Sequence, residues 1–101
     1  MRISLFEKKM ILSLLNSYLP QEKKNTVFLH GSRIDDLAKG GDIDLFWIVP
    51  DDKFQEISSK KHYIVSDLSL KLSEQKIDLT LIKNSETKLH QFFNNSQKIE
   101  L

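Results

Sequence analysis

The stretch LHGSRIDDLAKGGDIDLF, residues 29–46, decides how this chain is read. It begins where an apolar run, residues 26–29, stops at Gly31-Ser32. Nine residues separate Ser32 from Asp42, Asp44 stands two positions further on, and a second apolar run then continues through Val49. A third acid, Asp78, sits at the front of another apolar run, residues 77–82. Successive side chains of a strand point to opposite faces, so Asp42 and Asp44 share one face and can converge on a single cation. Gly31 permits a positive φ and close backbone approach, which leaves N–H groups free for phosphate oxygens. Ser32 adds a hydroxyl, and Arg33 is the natural charge partner of a triphosphate. Magnesium takes hard oxygen ligands, commonly one or two carboxylates together with substrate phosphates. Three carboxylates close together repel one another unless a cation neutralises them. Alone, Asp-x-Asp reads as the solvated start of a strand and Gly-Ser as an ordinary turn. Their order along one chain, with Asp78 behind them, points to a nucleotide held with divalent metal.

In this order of motifs the chain resembles the DNA polymerase β nucleotidyltransferase superfamily. There a strand ends in Gly-Ser, a short helix and loop follow, an Asp-x-Asp strand supplies two metal ligands, and a neighbouring strand supplies a third acid. In size it is similar to the minimal nucleotidyltransferases, single small domains often encoded beside a HEPN-type toxin as its antitoxin. The resemblance covers roughly residues 25–82 in motif order. The chain departs from the pattern in two ways. Its Gly-Ser to Asp-x-Asp spacing is one residue shorter than usual, and Gly41 precedes Asp42 where the small members carry Ser.

The resemblance implies an α+β fold, a small mixed β-sheet packed by helices. It implies transfer of a nucleoside monophosphate from a nucleoside triphosphate, ATP in the first instance, to an acceptor hydroxyl. Asp42, Asp44 and Asp78 would be the catalytic metal ligands for two Mg2+ ions, Gly31, Ser32 and Arg33 would bind the nucleotide, and the acceptor would be a tyrosine of a HEPN-type toxin. The alternative is a non-catalytic antitoxin or adaptor that acts by binding its partner.

Length and composition bound these readings. The 101 residues make one domain, residues 1–101, and 40% hydrophobic content supports a packed core. The absence of cysteine removes disulfides, thiolate metal sites and cysteine nucleophiles. Fifteen basic against fourteen acidic residues leave a net charge of +1, which does not favour extended nucleic-acid binding. The N-terminal stretch is interrupted by Glu7, Lys8 and Lys9, so neither a signal peptide nor a membrane span is expected and the cytoplasm is the default location. A domain this small has little room to enclose a large acceptor, so a partner or a second copy, in a homo- or hetero-oligomer, is expected to complete the pocket.

Along the chain, apolar spacing predicts a helix over residues 4–18, ended before Pro20, then a strand over 26–30. One or two helical turns over 32–37 capped by Ser32, a flexible connection over 38–41 and a strand over 42–49 follow. Pro50 stops that strand, and Asp51 or Asp52 caps a helix from about 53 to 61. Residues 62–65, rich in aromatic and β-branched side chains, read as a short extended piece before a second helix over 67–74. A strand over 77–82 and a final helix capped by Ser85, burying Leu89, Phe92 and Phe93, complete the pattern. His30 reads as a packed or surface histidine and Trp47 as core.

Overall fold

The computed structural model describes residues 3–19, 26–31 and 42–101. The expected helical turns over 32–37 and the connection over 38–41 lie outside the described residues. Helix α1, Leu5–Asn16, starts where Ser4 accepts the Glu7 N–H and the Glu7 side chain accepts the Ser4 N–H, a reciprocal capping box. Strands β1, Thr26–His30, and β2, Ile43–Val49, follow. Pro50 ends β2, and helices α2, Asp51–Ser59, and α3, Lys61–Lys71, run on with only Lys60 between them. Strand β3, Ile77–Lys83, a 3-10 helix, Asn84–Leu89, a short helix α4, Gln91–Asn95, and strand β4, Lys98–Glu100, complete the order.

The fold is α+β: one four-stranded mixed sheet, in the order β3-β2-β1-β4, with helices packed against it. β2 runs antiparallel to β1 and parallel to β3, and β4 pairs antiparallel with β1. Alternation along the strands sorts side chains to two faces. Val27, Leu29, Ile43, Leu45, Trp47, Val49, Ile77 and Leu79 join Ile11 and Leu15 of α1, Ile57 of α2, and Ile64 and Leu68 of α3 in the main core. The other face carries a smaller cluster of Phe46, Ile82 and Phe93, edged by Phe28 and Ile48. β2 is thus apolar on both faces, as a central strand requires. Asp44 alternates with Phe46 and therefore stands on the smaller face.

Three expectations are corrected. Asp51 and Asp52 do not cap α2 but form its first turn, directly behind Pro50. Residues 62–65 are helical: Ile64 and Leu68, four apart on α3, both reach full burial on the sheet, and that packing outweighs the β-propensity of the tetrad. The C-terminal region is not one helix capped by Ser85. The Ser85 N–H instead donates to Asp51 Oδ1 at 3.0 Å, tying the 3-10 helix to the first turn of α2. The chain then turns through His90, whose Nδ1 accepts the Phe93 N–H at 3.1 Å, and returns to the sheet as β4, a strand the sequence reading lacked. Only Phe93 of the three expected anchors is buried; Leu89 is 80% and Phe92 54% exposed.

Candidate active site

Three strands set His30, Asp44 and Asp78 along one cross-strand row. His30 is the register partner of Asp44, and Asp44 is the register partner of Asp78. Neighbouring strands lie about 4.8 Å apart, so the two acids occupy adjacent rungs on the same face. Asp42 precedes β2 by one residue, and Ile43 is fixed there by its N–H bond to the Lys76 carbonyl at 3.0 Å. The expectation that Asp78 lies beside the Asp-x-Asp strand matches this arrangement.

Gly31 follows β1 with φ +75, the conformation that makes glycine the suitable residue there. A Cβ at this position would overlap Asp44 Oδ2. Gly31 therefore lies directly against the Asp44 carboxylate. Ser32 and Arg33 lie outside the described residues.

The electrostatics follow from this crowding. Burial pushes the Asp44 carboxyl above the ordinary value; His30 opposes that shift, while Asp78 and Asp42 add to it by like-charge repulsion. His30 is only 6% exposed, and burial lowers its pKa against the opposing pull of Asp44 and Asp78. Its ring stacks on Phe46 at 3.9 Å between centroids, and Phe92 meets it edge-on at 5.6 Å. The buried Nε2 has no hydrogen-bond partner among the described residues. The packed-histidine reading of His30 fits this environment.

Sequence reasoning missed Lys76, whose Nζ stands 3.6 Å from Asp42 Oδ2. Its placement two residues before Asp78, mirroring Asp42 and Asp44, was the available signal. It also missed Phe92, which packs at 5.1 Å on Phe46 beside the acid row while remaining half exposed. Among the described residues no three His, Asp or Glu side chains are drawn into a metal-holding group. Asp44 and Asp78 are neighbours, whereas Asp42 is turned to Lys76. The donor set is nonetheless the all-oxygen kind that magnesium takes, and a cation between Asp44 and Asp78 would relieve the like-charge repulsion that adds to the effect of burial on Asp44.

Among the described residues no helix is long and apolar enough to cross a membrane. No family model, no curated protein and no solved structure matches the chain.

Proposed function

We propose that the protein is a magnesium-dependent nucleotidyltransferase that moves a nucleoside monophosphate, AMP from ATP, to an acceptor hydroxyl. The observation that carries this reading is the closure of the Gly31 turn onto Asp44, with Asp78 on the adjacent rung. A phosphate-approaching backbone and an acid pair then share one small surface. Magnesium held by Asp42, Asp44 and Asp78 would neutralise the triphosphate and acidify the acceptor hydroxyl. Gly31, Ser32 and Arg33 hold the β- and γ-phosphates in place. Asp78, exposed at the end of the row, takes the acceptor proton. The acceptor oxygen bonds to the α-phosphorus, the bond to the β-phosphate oxygen breaks, and pyrophosphate leaves. Following the motif resemblance, the acceptor is a tyrosine of a partner HEPN-type toxin, the modification acts as an antitoxin, and the pair works in the cytoplasm.

A second reading, a non-catalytic adaptor, is favoured by one observation: Asp42 is paired with Lys76. The two separate by measuring labelled nucleotide on a co-purified partner, with and without magnesium. Label that appears only with ATP and magnesium supports transfer. Neutralisation of the partner with no label under either condition leaves the adaptor.

A further inference from the structure

Among the described residues β3 is the outer strand of the sheet and pairs with β2 alone. A groove of about 430 Å³ beside it is lined by Ile77, Asp78 and Leu79, with Lys61, His62 and Val65 opposite. Alternate side chains of a strand point to opposite faces, so three consecutive residues can line one groove only at the strand's free edge. A second groove of about 440 Å³ continues from the first, sharing Val65 and Ile77 and extending to Leu70 and Lys76. Lys61 and Leu70 are nine residues apart on α3, so at about 1.5 Å per residue the trough is about 14 Å long. That matches about four residues of extended chain at about 3.3 Å each. Its floor is apolar, Leu70 is 68% exposed on its rim, and Lys61 and Lys76 stand towards its two ends.

A strand edge unpaired among the described residues, an elongated trough and lysines near both ends favour one occupant. We propose that an extended, acidic segment of a partner polypeptide adds to the sheet along β3 between that edge and α3. Backbone hydrogen bonds to the edge supply affinity, and acidic side chains that meet Lys61 and compete with Asp42 for exposed Lys76 supply selection. A hydroxyl residue at the centre of the added strand is delivered to Asp78, which lines the groove and ends the acid row. Only that delivery rests on the nucleotidyl-transfer reading; strand addition does not.

The test uses the full chain without nucleotide or magnesium. The probe is a fluorescent pentapeptide, Glu-Val-Tyr-Val-Glu, followed by anisotropy. Backbone N-methylation of one alternating set of its amides should abolish binding and methylation of the other set should be tolerated, since an edge strand bonds only one side of its partner. The charge reversal Lys61→Glu with Lys76→Glu, at exposed positions, should weaken binding about tenfold. Equal tolerance of both methylation patterns, unchanged affinity in the charge-reversed protein, or no binding of the acidic peptide would each overturn strand addition. Binding that follows this pattern, with no transfer of label to the tyrosine when ATP and magnesium are added, would sink the transferase reading and leave the edge site standing. Conversely, ATP and magnesium binding with no peptide binding would leave the nucleotide site and sink the edge site.

Discussion

Gly31→Ala should be destabilising through two separable causes, and Asp44 distinguishes them. The first is local: a side chain at φ +75 sits in the left-handed region, which costs roughly 1–2 kcal/mol for a non-glycine residue. The second is steric. The new methyl would overlap Asp44 Oδ2 and press on Asp44 Cγ at 3.2 Å, while Asp44 Cβ at 3.5 Å is in ordinary contact. Forcing such an overlap costs about 1–3 kcal/mol when neighbours must shift. The sum is about 2–5 kcal/mol in the parent. In an Asp44→Ala background the offending oxygen and Cγ are gone and only the conformational part, about 1–2 kcal/mol, should remain. Urea unfolding of the four proteins in this double-mutant cycle, with midpoints compared at constant slope, measures the coupling directly. A coupling of about 1–3 kcal/mol is expected. The same cost for Gly31→Ala in both backgrounds would refute the contact between turn and carboxylate, and with it the observation on which the transferase reading rests.

Asp44→Asn should stabilise the metal-free protein at neutral pH. The folded-state pKa of Asp44 is raised, so its contribution favours folding at low pH and declines as pH rises above about 4 through the folded value; a pH series of unfolding midpoints that keeps this decline in the variant would count against it. Asp42→Asn with Asp44→Asn should abolish magnesium-dependent ATP binding without unfolding the chain, and titration calorimetry showing parental affinity would refute the metal site. Asp78→Asn should leave ATP binding largely intact while turnover falls at least 100- to 10,000-fold, about the worth of general-base assistance; label transfer at the parental rate would remove Asp78 from the mechanism. Asp51, whose carboxyl is held below its ordinary value by the Ser85 hydrogen bonds, contributes stability that is present above about pH 4 and lost as pH falls through the lower folded value. Asp51→Asn should flatten that acid limb, and an unchanged acid limb would show that the tie between α2 and the 3-10 helix contributes nothing.

The central strands were legible because their side chains obey a short-range rule. Apolar runs bounded by Gly31, Pro50 and polar residues give β1, β2 and β3 directly, and the acids near two strand starts follow from the same runs. The strand that closes the sheet was not legible. β4 is three residues long, and its pairing of Leu29 with Ile99 joins positions far apart in the chain, for which no local pattern exists. His62-Tyr63-Ile64-Val65 misled for the opposite reason: its local preference is clear, but tertiary packing of Ile64 and Leu68 overrides it. At the site, residue identity was readable, but contact was not. The mirrored spacing of Asp42 before Asp44 and Lys76 before Asp78 becomes a contact only once β2 and β3 are known to pair in parallel register, and the burial of His30 between Phe46 and Phe92 requires α4 to fold back over the sheet.

The unequal apolar clusters on the two sides of the sheet set how this molecule breathes. One side is anchored by α1, α2 and α3 through many fully buried side chains, whereas the acid-bearing side is roofed by five-residue α4 through Phe93 and half-exposed Phe92. Amide protons of β2 and α3 should therefore exchange with deuterium only on global unfolding, while those of α4 and β4 exchange through cheap local opening. The roof over the acid row therefore opens more readily than the strands that carry the acids.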